Sequence, residues 1–396
     1  MKALIESLTT DEVQDFIITN EHLDINKLLL GKKSIFGVPT AWIANQIHGR
    51  RKAKEKLPLW YNTRGIVYPP SVNLEQCSSG ATAQWKGKQV SGKIGADLTG
   101  GFGVDTYYIS RVVPTMEYVD PNLELLTIAQ HNHLLLGATN IRYHNTTAES
   151  FLKISAETFD FLLVDPSRRM GDRKTFHLQD CQPDVIQLRS GLLKKAAVAI
   201  IKSSPLLDLK QAFRELKTVS KFMVVSYENE CKELLLFLRP EVPEEPTIEA
   251  VDLSKDGTST TITFKWSDEK NAVAKSAPPQ FFLYEPSAAI LKAGAFKFIA
   301  QAFGLGKLAP DTHLYTSATV VPNFPGRVFR ILEHPVALDK KLLKKFEAGY
   351  ANIVRRNHPL TVEGIMKKTG LKEGGQHYLI CTRGAKPMAL IAERLK

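Results

Sequence analysis

Cysteine is scarce in this chain. There are four in 396 residues, Cys77, Cys181, Cys231 and Cys381, far apart and never as a C-x-x-C pair. That spacing argues against a disulfide framework or a structural zinc site; no metal is expected, and a reducing compartment fits. Long apolar runs are missing too, since no stretch reaches the roughly 18 residues that a membrane span needs. The opening Met1-Lys-Ala-Leu-Ile-Glu-Ser-Leu8 lacks the apolar core of a signal peptide. A cytoplasmic location without a membrane partner is therefore the expectation. The sequence has no internal repeat and no low-complexity tract. It also has no Walker lysine, which argues against a nucleoside triphosphate site.

What is present is the composition of a soluble globular protein, 43% hydrophobic and 23% charged, at a length that calls for two or three domains. The net charge of +11 is unevenly spread. Lys32, Lys33, Arg50, Arg51, Lys52, Lys54, Lys56 and Arg64 face a single acid, Glu55, between Gly31 and Arg64. Between Asp339 and Lys396 there are thirteen basic residues and five acids. Clustered positive charge points to a nucleic-acid partner; solvated faces are the plainer alternative.

Residues 1–80 read as helical. Thr9-Thr10-Asp11-Glu12 offers a capping box ahead of Val13, Phe16 and Ile17, and Pro39-Thr40 opens a helix through Trp42, Ile43 and Ile47. Over 81–241, strand-like apolar runs alternate with helical ones. The strands are expected at 94–98, 115–119, 140–144, 159–164, 196–201, 222–227 and 233–238, the last two as an antiparallel hairpin. Such alternation predicts an α/β fold with a mostly parallel, Rossmann-like sheet. Glu241-Val-Pro-Glu-Glu-Pro246 reads as a linker to a C-terminal α+β region over 247–396. There Pro286-Ser287 opens a helix carrying Ile290, Leu291 and Phe298, and a compact unit closes the chain.

The most informative stretch is Asp97-Leu-Thr-Gly-Gly101-Phe-Gly103-Val-Asp-Thr106, a strand end followed by a glycine turn. Glycines let a ligand lie against bare backbone. A dinucleotide fingerprint would place a third Gly or Ala where Thr106 stands. Asp97 would repel a pyrophosphate and suits an ammonium group instead. In open α/β sheets ligands bind beyond the carboxyl ends of the strands. The other candidates fall at such ends: Asp120 in Tyr-Val-Asp120-Pro121-Asn122, spaced to hold ribose hydroxyls; Ala148-Glu149, placed for an adenine edge; and Asp165-Pro166-Ser167-Arg168-Arg169. Taken singly, Asp120 could simply cap the next helix, Glu149 could be a solvated charge, and the two arginines could pair with a neighbouring acid.

These motifs resemble those of the class I S-adenosylmethionine-dependent methyltransferases, and more closely a bacterial group with a C-terminal THUMP-like domain. The phrases that carry the second likeness are Asp-Leu-Thr-Gly-Gly-Phe-Gly-Val-Asp-Thr, Val-Asp-Pro-Ser-Arg-Arg, Glu-Asn-Glu-Cys-Lys-Glu-Leu and Leu-Tyr-Glu-Pro-Ser-Ala-Ala-Ile, and the resemblance covers roughly residues 80 to 396. It implies a seven-stranded methyltransferase sheet over 81–241 and a THUMP-like domain at about 323–396. It implies S-adenosyl-L-methionine as cofactor, held by Asp97, Thr99, Gly101, Gly103, Asp120, Pro121, Ala148 and Glu149. Asp165 and Pro166 would be catalytic and Arg168 and Arg169 substrate-binding. True THUMP domains bind RNA, so tRNA or rRNA is the implied partner.

Asp165-Pro166 normally orients a planar nitrogen. Relatives that methylate exocyclic amines follow it with Pro-(Tyr/Phe/Trp), and here Ser167-Arg168 stands instead. Pyrimidine C5 methylation needs a cysteine after the fifth strand, where Lys202-Ser203-Ser204-Pro205 has none. Cys181 lies on another segment and reads as a buried small residue. A base nitrogen in RNA is the expectation. The alternatives are a small-molecule methyltransferase and a non-catalytic RNA-binding protein on this scaffold.

Overall fold

A computed structural model describes residues 1–168 and 178–395; of Arg168 only the backbone is described. The principal sheet consists of β1 (Ile94–Asp97), β2 (Thr115–Val119), β3 (Ile141–His144), β4 (Phe159–Val164), β5 (Ala196–Ser203), β6 (Val219–Tyr227), β7 (Glu230–Leu238), β8 (Thr247–Leu253) and β9 (Ser259–Phe264). Its order is β9-β8-β6-β7-β5-β4-β1-β2-β3. The seven expected strands are all present, and two more extend the sheet. Glu241–Pro246 leads straight into β8, which pairs parallel with β6. The β6–β7 turn is tight because Glu228 and Asn229 both take left-handed backbone, φ 53° and 61°, the conformation a two-residue hairpin requires.

The central strands are parallel and buried on both faces, so they read as continuous apolar runs such as Phe159-Asp-Phe-Leu-Leu-Val164. Their ends are level: Asp97 lies opposite Leu163 and Tyr118, Val119 opposite His144, and Val164 opposite Ile201. One rim of the sheet therefore carries, in spatial order, Lys202, Asp165, Asp97, Asp120 and the start of the helix after β3.

The chain divides into two compact units, residues 1–220 with 235–242, and residues 221–234 with 243–396. In the first, the helices that matter are α1 (Thr40–Lys56), α2 (Gly80–Gly87), α3 (Val104–Ser110), α4 (Leu123–Leu135) and α5 (Ala148–Ile154). The expected helix after Thr10 forms at Asp11–Thr19, but without its capping box: the Thr10 hydroxyl donates back to Ser7 O. The backbone at Val67 and Tyr68 is bracketed by two amide side chains. Asn132 on α4 accepts from Val67 N (2.9 Å) and donates to Val67 O (2.8 Å). Gln46 on α1 does the same for Tyr68, at 2.7 and 2.9 Å.

The second unit holds a seven-stranded sheet of β10 (Phe282–Pro286), β11 (Gly306–Ala309), β12 (Thr312–Ser317), β13 (Gly326–Glu333), β14 (Tyr350–Arg355), β15 (Lys372–Arg383) and β16 (Pro387–Arg394), in the order β11-β12-β10-β13-β16-β15-β14. The expected helix after Ser287 is two helices, Ala288–Ala293 and Phe296–Ala302, because Gly294 at φ 83° ends the first. Helix α6 (Val362–Thr369), capped by the Thr361 hydroxyl, packs beside β14 and covers the cluster of Ile353, Ile365, Leu379 and Ile391. Among the described residues no helix is long and apolar enough to cross a membrane.

Candidate active site

The turn after β1 is built by packing as much as by ligand demand. A Cβ on Gly100 would sit 2.2 Å from the Tyr118 ring, and one on Gly103 would sit 2.5 Å from His133 Nε2. Those two glycines let strand and helix approach. Gly101 differs. Its φ of 54° calls for glycine, yet a Cβ there would find only Thr99 O, at 3.8 Å. The open side of the turn is at Gly101, where a ligand can meet bare backbone.

Two acids flank the turn. Asp97 is buried; its Oδ1 accepts from Thr99 N (3.1 Å) and its Oδ2 from the Thr106 hydroxyl (2.7 Å). Burial pushes its carboxyl up to about 7 against the pull of those donors. Among the described residues no cation pairs with it. A buried carboxylate held only by neutral donors is matched to a ligand that brings its own positive charge. Thr106, whose side chain excludes the dinucleotide reading, thus has a positive role in holding this acid. Asp120 is also buried. Its Oδ2 accepts from Gly101 N and its Oδ1 from Asn122 N, each at 2.8 Å, leaving further lone pairs for a diol. Asn145, which sequence reasoning passed over, donates to the carbonyls of both Asp120 and Pro121 at 3.0 Å and fixes that corner. Ala148, buried, and Glu149, half-buried, open α5 at the far end of the rim.

Asp165 stands on the other side of Asp97. Its N–H donates to the Thr99 hydroxyl at 2.6 Å, so the glycine turn and the Asp165-Pro166 motif share one threonine. The side chain is 38% exposed and its Oδ2 accepts from the Lys202 ammonium. Lys202 also lies 3.6 Å from Asp105, itself bonded to Lys86 (2.9 Å) and to the Ser78 hydroxyl (2.8 Å). None of these four partners stands out in the sequence. The backbone of Ser167 and Arg168 pairs with Gln182 and Cys181. The segment carrying Cys181 thus returns alongside the motif, although its thiol is fully buried. Arg169 lies outside the described residues.

A second cysteine is also close. Cys77 is within electrostatic range of Lys202, Asp105 and Asp165. Burial pushes its thiol up to about 11, and the thiol donates to Leu74 O, so it is held as a neutral group. The basic cluster of residues 32–64 is largely consumed within the fold. Arg50 pairs with Glu21 and Arg64 with Asp11 and Asp15, Lys52 lies 3.6 Å from Glu75, and Arg51 and Lys56 donate to backbone carbonyls. Lys32, Lys33 and Lys54 remain exposed.

The glycine turn, Asp120 and Asp97 offer bare backbone and two buried carboxylates to a ligand such as S-adenosylmethionine. Comparison with known proteins bears on the cofactor. Residues 282–325 match a ferredoxin-like domain family and residues 326–394 a THUMP domain-like family. In two Mycobacterium tuberculosis strains, an uncharacterized S-adenosylmethionine-dependent methyltransferase is 21% identical over 372 residues, spanning 91% of this chain and 94% of its own length. The crystal structure of a Porphyromonas gingivalis W83 protein assigned as a methyltransferase is 29% identical, with 100% of this chain and 99% of that one covered and a TM-score of 0.87. These likenesses support a class I S-adenosylmethionine-dependent methyltransferase with a C-terminal THUMP-like domain.

Proposed function

We propose that this methyltransferase modifies a base nitrogen in RNA, tRNA or rRNA, with Asp165 orienting the acceptor. The observation that carries this reading is the Asp165 carboxylate itself. It is half-exposed at the end of β4, tied through its backbone to Thr99, and adjacent on the rim to Asp97. When bound, S-adenosylmethionine supplies an electrophilic methyl sulfonium. The chain's task is then orientation. Asp165 accepts a hydrogen bond from the acceptor N–H and aims the nitrogen lone pair, with Pro166 fixing the backbone that follows. The new N–C bond forms as the C–S bond breaks and its electron pair returns to sulfur. The nitrogen then loses its proton to water at the exposed side of Asp165. Asp97 would hold the ammonium, Asp120 the ribose hydroxyls, Thr99, Gly101 and Gly103 the turn, and Pro121, Ala148 and Glu149 the adenine end. Arg168 and Arg169 are proposed to contact the substrate.

A nitrogen rather than a ring carbon is supported by the cysteines. No thiol follows β5, the Cys181 thiol is buried, and the half-buried Cys77 is held as a neutral thiol. RNA is supported by the THUMP-like region. There a cleft of about 530 Å³ is lined by Arg327, Arg355, Arg356, Asn352 and Tyr378, among others. Glu285, 2% exposed, takes Arg327 on one oxygen and Arg356 on the other, which holds two guanidiniums at the cleft.

The test is mass spectrometry of nucleosides from RNA of cells with and without the protein. A methylated base should be lost on deletion, restored by the parent chain and not by Asp165→Ala. Unchanged nucleosides, or full restoration by Asp165→Ala, would overturn the reading.

A further inference from the structure

The four charges Lys86, Asp105, Lys202 and Asp165 form an alternating series that runs from the segment before β1 to the proposed acceptor site. Lys86 Nζ is 2.9 Å from Asp105 Oδ1; Lys202 Nζ is 3.6 Å from Asp105 Oδ2 and bonded to Asp165 Oδ2. The Ser78 hydroxyl accepts from Lys86 at 3.0 Å and donates to Asp105. Lys86 is 1% exposed, Lys202 and Asp105 are each 10% exposed, and only Asp165 opens outward. The acid of the pair that faces inward, Asp105, is held as an anion by its two lysines. Buried charges that lack partners cost several kcal/mol, so a series of this kind persists only when each member is compensated.

We propose that Lys202 is a positioning residue for methyl transfer: it fixes Asp165 through one carboxylate oxygen, leaves the other for the acceptor N–H, and is itself held in place by Asp105 and Lys86. This rests on the reading of Asp165 as the acceptor-orienting group. Two consequences follow from the charge count. The series sums to zero, so the acceptor site favours a neutral nitrogen, as in a nucleobase, over an alkylammonium ion that would want an uncompensated carboxylate. And the segment 78–86, ahead of the methyltransferase strands, is part of the acceptor site's electrostatics.

The test measures methyl transfer from labelled S-adenosylmethionine to total tRNA and rRNA purified from a strain lacking the protein. The proteins compared are the full-length parent, Lys202→Ala, Lys202→Arg, Lys86→Met and Asp165→Ala. Dissociation constants for S-adenosylhomocysteine, from calorimetry, report on the cofactor site and on folding. Lys202→Ala should lower kcat about 100-fold while that dissociation constant stays within about threefold, since orientation and not cofactor binding is lost. Lys202→Arg should retain most of the turnover, and added ethylammonium should restore Lys202→Ala by about tenfold, because a mobile cation can refill the vacated place. Lys86→Met should lower kcat less than Lys202→Ala does. Parental turnover in Lys202→Ala, or loss that neither arginine nor ethylammonium repairs, would overturn the role of Lys202. Parental turnover in Asp165→Ala would overturn the acceptor-site reading beneath it.

Discussion

His133 Nε2 lies 2.8 Å from the carbonyl oxygen of Gly103, tying α4 to the last glycine of the turn. A carbonyl only accepts, so Nε2 carries the proton and Nδ1 accepts from the Tyr143 hydroxyl at 3.0 Å. The ring is neutral: burial pushes it down to about 4. His133→Ala removes two buried hydrogen bonds and leaves a void, so unfolding in urea should show a loss of about 2–4 kcal/mol. Cofactor affinity should fall with it, because the turn loses its brace. Gly103→Ala should act the same way, since its Cβ would meet that nitrogen at 2.5 Å.

Asp97 gives a pH signature. Its folded value, about 7, is raised above that of an unfolded aspartate. The folded protein therefore binds more protons than the unfolded chain between about pH 4 and 7, and this group's contribution to stability falls as pH rises through that window. A bound ammonium needs the carboxylate, so binding releases a proton below pH 7. Calorimetry should show S-adenosylmethionine affinity weakening up to about tenfold per pH unit as pH falls below 7, with proton release. Asp97→Asn should bind weakly and without this dependence. A flat profile in the parent between pH 5.5 and 7 would contradict the pairing.

Cys77 offers a check on the chemistry. With its thiol pushed up to about 11, roughly one molecule in a thousand is thiolate at pH 8. Iodoacetamide should label it slowly, and Cys77→Ser should keep kcat within about threefold of the parent. A Cys77→Ser protein that folds and binds cofactor but cannot transfer methyl would point to carbon methylation instead.

The cleft arginines should be read out by salt. Replacing Arg355 and Arg356 with Ala together should weaken tRNA binding and reduce the slope of log K against log salt by about 1 to 2. Cofactor affinity should not change. An unchanged slope would remove the cleft from RNA contact.

How legible the site was depended on distance along the chain. Asp97, Asp120 and Asp165 could be placed because parallel strands buried on both faces are continuous apolar runs whose ends are easy to find. Lys202 and Asp105 could not, because what marks them is each other: the partners of Lys202 lie 37 residues back at Asp165 and further still at Asp105. A lysine at a strand end reads alone as a snorkelling charge. The ion pairing within the basic run of residues 32–64 was hidden for the same reason, since the acids that take up Arg50 and Arg64 sit at residues 11, 15 and 21. Local signals failed where a competing local bond won, as at Thr10, or where one residue's backbone changed hand, as at Gly294.

The two amides that bracket Val67 and Tyr68 have a practical bearing on where this protein can be cut. Asn132 is fully buried, and both its donor and its acceptor end on Val67. A shorter chain begun at the first methyltransferase helix would orphan that amide inside the protein, at about 1–3 kcal/mol for each lost partner. It would also strip Ser78 from Asp105. Seen this way, residues 65–80 behave as a missing lath of the catalytic unit, and any minimal enzyme has to begin upstream of them.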